Sequence, residues 1–246
     1  MRNFSKNKLS FLIILITIWQ ILSTFNDPII LPSPLKVSNE IFKLITSIYF
    51  LKLIGVTIMR TFLGAVFTLI LGLLIGIGMG LNSKLEESLK SILIISQSTP
   101  IISWLLLALI WFDNRYIPII VIIISNTPII AINIDEGIKN VDNKLLEMAK
   151  IYKISSKKVL KEIYFPAIIP YLISSFKIIL GLSYKVAVMS EVVAKVSGGI
   201  GESINWAWLN IETSVIIAWT VIIVFLTYIS EKIIMSLINK KMEKYI

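Results

Sequence analysis

Six apolar stretches, each long enough to enter a bilayer as a helix, constrain this chain more than any other feature. They run over Leu9–Phe25, Val56–Leu81, Leu89–Phe112, Tyr116–Asn133, Ile163–Val193 and Thr213–Ile238. A helix rises about 1.5 Å per residue, so about 20 residues cross the ~30 Å hydrocarbon core. Such segments take up most of the 246 residues, of which 56% are hydrophobic and only 16% charged, with a mean hydropathy of +0.86. No length is left for a large soluble catalytic domain. The expectation is an all-α membrane protein with six transmembrane helices. Its parts are a helix and outer loop over 1–54, a core of five helices over 55–238, and a tail over 239–246. The first stretch follows Arg2, Lys6 and Lys8 as a signal peptide would, but no A-x-A-like cleavage site follows it, so it reads as a retained span.

The basic residues sort by side. With the N-terminus inside, inner segments carry 15 of the 24 Lys and Arg, among them Arg2, Lys6, Lys8, Lys240, Lys241 and Lys244. Outer segments carry five: Lys36, Lys43, Lys52, Arg115 and Lys195. Arg60, Lys177, Lys185 and Lys232 fall within spans. The positive-inside rule then places both termini in the cytoplasm of a multi-pass inner-membrane protein. It also accounts for the net charge of +9 without a nucleic-acid partner. The chain has no Cys and no His, which removes disulfides, thiolate and imidazole metal sites, haem ligation and histidine-based triads. No catalytic residue, metal or cofactor is expected.

Within the spans, Gly64, Thr68, Gly72, Gly76 and Gly80 recur every four residues, with Gly78 beside them. Small residues on one ridge let helix backbones approach closely, so this reads as a packing seam. Spans three and four each carry a polar run ending in proline: Ser96, Gln97, Ser98, Thr99, Pro100, and Ser125, Asn126, Thr127, Pro128. Proline removes a rung of the helical ladder and frees carbonyls that hydroxyls, neighbours or water must satisfy. Gln97, Thr99, Asn126 and Thr127 are therefore candidates for a substrate pathway, the alternative being hydroxyls that bond back to their own helices. Arg60 and Lys232 lie near span ends and read as interfacial. Lys177 lies about 20 Å into span five, where a charge pairs or lines water. With Lys185 it would draw an anion into a pathway, or it would pair with groups of a partner subunit.

The segment from Asp135 to Glu162 is too polar to enter the bilayer. Asp142 is a plausible N-cap, and Val141, Leu145, Met148 and Tyr152 follow as an amphipathic stripe, with a second short helix starting near Ser155. An apolar stripe amid charge calls for a partner, protein or membrane surface.

Glu147-Met148-Ala149, then Lys153, then Ile163-Tyr164-Phe165-Pro166 resembles the EAA loop of bacterial ABC importer permeases, E-A-A-x3-G-x9-I-x-L-P. Other pieces appear in order: Leu31-Pro32-Ser33-Pro34, Thr57-x2-Arg60-x3-Gly64, Thr99-Pro100, Gly137-x3-Val141-Asp142, and Ser190-Glu191 ahead of Gly198-Gly199-Ile200-Gly201. Together they resemble the permeases of the nitrate, sulfonate, taurine and bicarbonate type over about residues 31 to 238. The resemblance implies a MetI-like permease fold whose EAA loop forms a coupling helix, with Glu147, Ala149, Lys153 and Ile154 contacting the ATP-hydrolysing subunit. It further implies two copies of a cytosolic ATPase, a second permease copy in a homodimer, and an extracytoplasmic solute-binding protein. Trp206, Trp208 and the loop over 32–34 are candidate contacts for that protein, or members of an interfacial aromatic belt. The pathway set it would serve is Gln97, Thr99, Asn126, Thr127 and Lys177. The departures from the motif are Lys153 for Gly, Met148 for Ala and Phe165 for Leu. A Gly there would permit a positive φ that Lys adopts only at a cost, so the turn is expected to wind differently.

No G-x-x-x-x-G-K-[ST] loop occurs, and Gly198-Gly199-Ile200-Gly201 is followed by Glu202, so this chain is not itself expected to hydrolyse ATP. The competing class is a secondary transporter driven by an ion gradient, which predicts paired acids or a repeated half near mid-membrane; only Glu191 is a candidate, and it lies toward the outer end of its span. A membrane-embedded enzyme would need clustered carboxylates or a nucleophile-base pair within the spans, and neither occurs.

Overall fold

The computed structural model describes the backbone over residues 2–242 and side chains over 10–236. The tail over 239–246 and the basic side chains at 2, 6, 8, 240, 241 and 244 that contribute to the charge asymmetry lie outside the residues described with side chains. Eleven α-helices are described: α1 Arg2–Thr24, α2 Pro34–Thr46, α3 Phe50–Leu81, α4 Ser83–Ser98, α5 Ile101–Trp111, α6 Ile117–Lys139, α7 Asn143–Ile151, α8 Ser156–Val159, α9 Phe165–Val193, α10 Ile200–Leu209 and α11 Thr213–Met242. A 3-10 turn, Asn114–Tyr116, leads into α6, and a π-helical turn, Leu160–Tyr164, joins α8 to α9.

Four of these are long and apolar enough to cross a membrane: α3, α6 with its leading turn, the continuous rod from α8 through α9, and α11. A fifth candidate is the pair α4 and α5, bent by 99°. The described apolar part of α1, Ser10–Thr24, is shorter. Leu89–Phe112, expected as one rod, is thus two helices. Pro100 has no N–H to continue the ladder and forces Thr99 out of the helical region, to φ −70°, ψ 130°. Thr99 instead closes α4, its hydroxyl donating to Ile95 O at 2.8 Å, and Trp104 Nε1 reaches Ser96 O at 3.3 Å across the bend. Pro128 has no such effect. It sits inside an unbroken α6, wedged between α3 and α9, where packing on both sides holds the helix through the missing rung.

The glycine ridge of α3 faces α6. A methyl added at Gly64 would strike Ile122, at Gly72 Ile130, at Gly76 the Ala131 carbonyl and Ile134, and at Gly80 Ile138. Each four- or eight-residue step along α3 is matched by an equal step along α6, so the two helices run parallel in fixed register. This is the packing seam expected from the spacing, and it sets the backbone-to-backbone contact at the centre of the fold. The same isoleucines join α3 and α6 to α9: Ile130, Ile134 and Ile138 are buried together with Ile168 and Ile179, and Leu69, Leu73 and Ile77 of α3 pack against them. A second apolar cluster forms around Trp219 of α11, whose ring stacks on Phe50 at 5.9 Å and whose Nε1 donates to Ser203 of α10 at 2.8 Å. The bundle therefore has one end capped by α7 and α8 and an opposite end capped by α10.

Ahead of the turn into α6, Asp113 accepts from the Arg115 amide at 2.9 Å and faces its guanidinium. That amide, and then the guanidinium, hold this exposed carboxyl below the usual carboxylate range.

Candidate functional site

The α7 end carries the segment singled out for coupling. Asp142 caps α7 as expected, accepting from the Lys144 amide at 2.9 Å. The helix then closes on Lys153, whose φ is +49°, with Ile154 N donating to Ala149 O at 2.9 Å. This is the left-handed closing turn that glycine usually provides. The expectation that Lys153 would wind the turn differently does not hold: the lysine adopts the positive φ itself and carries its steric cost. Beyond it, Pro166 has no N–H for the Glu162 carbonyl, and the ladder widens to a π turn in which Phe165 N reaches back to Leu160 O. Ala149, Lys153 and Ile154 come together with Leu81, Val159 and Tyr164 around a hollow of about 540 Å³. Glu147 stands apart from it on the exposed side of α7. Of the apolar stripe, Val141 is buried, whereas Leu145, Met148 and Tyr152 are exposed, joined by Ile151 at 77%.

The pathway set is not gathered into one cluster. Asn126 is buried on α6 and donates to Ser183 of α9 at 3.1 Å. Thr127 is buried beside it with no hydrogen-bond partner for its hydroxyl among the described residues. Gln97 is exposed near the end of α4, and Thr99 is half-buried at the 99° bend. Lys177 pairs with Glu231 of α11 at 3.4 Å, on an open face of the bundle. Among the described residues no hydrogen bond joins any of the five to another. Lys232, adjacent to Glu231 in sequence, lies instead over the Tyr228 ring at 5.1 Å.

At the α10 end, three pieces noted separately in the sequence meet in one buried node. Glu191 of α9 is fully buried, and Arg60 of α3 is nearly so, with Nη1 2.8 Å from Glu191 Oε1. Thr57 donates to the same carboxylate at 2.9 Å and accepts from the Ile200 amide at 2.9 Å. The Gly201 amide donates to Glu191 Oε2 at 2.9 Å, and Arg60 Nη2 to the Ser197 carbonyl at 3.0 Å. A side chain at Gly199 would collide with the Glu191 carboxylate, and one at Gly201 with its Cβ. These two positions admit only glycine because the Glu191 carboxylate lies on one and the α9 backbone at Glu191 and Val192 lies on the other. Arg60 is therefore not the interfacial cation expected from its position near a span end. Its partner lies 131 residues away, a separation that no local pattern reveals.

At the opposite end, Asp135 is buried with Oδ2 3.2 Å from Lys139 and 3.7 Å from Lys90, while Glu86 pairs with Lys139 and with Lys90, the latter at 3.1 Å. Asp135 Oδ1 has no hydrogen-bond partner among the described residues.

The comparisons with known proteins agree with this architecture. A solved chain of the MetNI methionine ABC transporter, in inward-facing conformations, superposes with a TM-score of 0.61 at 17% identity, covering 76% of this chain and 94% of that one. The bicarbonate transport system permease protein CmpB of Synechococcus elongatus is 30% identical over 133 residues, 54% of this chain and 48% of that protein. The match thus spans about half the length of that relative. The putative aliphatic sulfonates transport permease protein SsuC of Bacillus subtilis is 25% identical over 235 residues, 94% of this chain and 84% of that protein. The family described as the binding-protein-dependent transport system inner membrane component matches residues 68–244, which takes in the glycine ridge from Thr68 onward, the bend at Pro100, α7, Glu191 and the glycines at 198–201, and the chain belongs to that family.

Proposed function

We propose that this chain is the transmembrane permease subunit of an ATP-driven ABC importer, passing a small organic or inorganic anion, such as a sulfonate, taurine or nitrate, from a binding protein to the cytoplasm. The observation that carries the reading is α7: a capped helix, closed by the strained Lys153 turn, that leaves Leu145, Met148, Ile151 and Tyr152 uncovered amid lysines. Such an edge is suited to a groove on a cytosolic ATPase, with Glu147, Ala149, Lys153 and Ile154 at the joint. The intended assembly holds two ATPase copies and two permease copies, with both permease termini cytoplasmic, the core over 55–238 lining the pathway, and the binding protein docked at the α10 end near Trp206 and Trp208. ATP-driven approach of the ATPases would move the paired α7 helices and alternate access to a pathway that includes Gln97, Thr99, Asn126, Thr127 and Lys177.

The ion-gradient alternative needs a titratable acid free to exchange its proton. Glu191 is held by Arg60 and Asp135 faces two lysines, which favours the ATP-driven reading. The decisive measurement is co-purification. Replacing Met148 and Leu145 by Asp, both exposed and so tolerable to the fold, is expected to release an ATPase subunit that wild type retains. Retention of that subunit by the double variant, or no ATPase with wild type, overturns the proposal.

A further inference from the structure

Four cations lie along the sequence's apolar spans, and the structure treats them differently. Arg60 is sealed against Glu191, Lys177 is neutralised by Glu231, and Lys232 rests on Tyr228 near the end of the described part of α11. Lys185 is exposed, and among the described residues it has no hydrogen bond or ion pair. It lies eight residues before the end of α9 at Val193, about 12 Å along the helix, with 20 residues of the same helix before it. A bare ammonium at that depth is costly against hydrocarbon, and intramembrane lysines face a bundle interior or water.

Its surroundings define what it can meet. Lys185 stands at one end of a groove of about 380 Å³ between α9 and α11, and Ile178, Leu182, Ile223 and Val224 form aliphatic walls. The Thr227 hydroxyl in this groove is spent on the Ile223 carbonyl at 2.8 Å, and Glu231 at the far end is occupied by Lys177. The groove thus offers one uncompensated positive charge beside a hydrocarbon wall. A small inorganic anion would use the charge and waste the wall, whereas an organic anion uses both.

We infer that Lys185 is a specificity-determining residue of the transport pathway, binding the head group of an organic anion, a sulfonate or carboxylate, whose aliphatic body lies along Ile178 and Leu182. The inference rests on the permease reading above and deepens it by separating Lys185 from Lys177: Lys177 helps to hold α9 to α11, and Lys185 meets the cargo.

The absence of cysteine in the chain makes the test direct. A Leu182→Cys variant, one turn from Lys185 in the groove, is expressed in membranes with its ATPase partner. Its modification by methanethiosulfonate reagents bearing an ethylsulfonate or an ethyltrimethylammonium group is then followed by mass. Relative to their rates with a free thiol in solution, the anionic reagent is expected to gain on the cationic one, and the anion-to-cation rate ratio is expected to fall about tenfold in Lys185→Met while holding in Lys185→Arg, because the two reagents feel one nearby charge with opposite sign. Butanesulfonate is expected to slow labelling at concentrations where nitrate does not. A ratio indifferent to residue 185, or a thiol that neither reagent reaches because lipid or a second copy covers it, overturns the inference. Equal protection by nitrate overturns its organic part. Met189→Cys, on the same exposed edge of α9, replaces Leu182→Cys if that variant does not fold. The labelling needs no transport, so an anion-selective groove in a chain that binds no ATPase sinks the permease reading alone. An ATPase-bound permease with an indifferent groove sinks only this inference.

Discussion

The two ends of the bundle solve the same electrostatic problem in opposite ways. At the α10 end, Glu191 has both oxygens satisfied by Thr57, Arg60 and Gly201, and the arginine's second arm is tied to Ser197. Two glycines let the chain from 199 to 201 lie directly on Glu191, whose side chain is fully buried. At the α7 end, Glu86, Lys90, Asp135 and Lys139 form a looser cluster whose lysine side chains are each 40% exposed and whose Asp135 keeps one buried oxygen without a hydrogen bond. The first is a closed joint with one arrangement. The second can exchange partners, since either lysine pairs with either acid. The difference teaches which end of the molecule is built to hold and which to yield.

Breaking the closed joint gives the largest expected effect. Glu191→Gln preserves size but leaves a buried guanidinium without its counter-charge, which costs about 3–5 kcal/mol in buried pairs. Thermal unfolding in detergent should show a corresponding loss, and a change within error would mean that Arg60 finds water in the native state. Next comes the strained turn at the yielding end. Lys153→Gly relieves a left-handed lysine, worth about 1–2 kcal/mol, against a glycine entropy cost of about 0.5–1. The variant should unfold at slightly higher temperature, and a less stable protein would show that Lys153 holds its turn by contacts rather than against strain. The smallest effect belongs to Lys90→Met, because its charge is solvent-screened and Lys139 remains for both acids. It should cost about 0–1 kcal/mol and shrink in high salt. A loss as large as that of Glu191→Gln would erase the contrast between the ends.

The features legible in the sequence are those with local causes. The glycine ridge of α3 is a four-residue period that packing uses directly, and Asp142 caps the helix that follows it. Prolines show where local reasoning stops: Pro100 divides an expected span into two helices at 99°, whereas Pro128 leaves α6 unbroken between α3 and α9. The positive φ of Lys153 is another case, since the closing turn forms on a residue whose type disfavours it. Arg60, Thr57, Glu191 and the glycines of 198–201 were all visible as separate pieces. Their union requires α3, α9 and α10 to converge, which no spacing along the chain encodes. The same holds for Lys177 and Lys185, equally charged and eight positions apart, which only the location of Glu231 tells apart.

The matched steps of α3 and α6 carry a mechanical corollary. At Gly64, Gly72, Gly76 and Gly80 the α3 backbone lies against isoleucines of α6, so sliding one rod past the other by part of a turn would drive those side chains into the facing backbone. The pair is therefore a single stiff strut. Since α7 follows α6 after a three-residue link and Arg60 is tied near the far end of α3, this strut joins the α7 end of the bundle to the Glu191 joint.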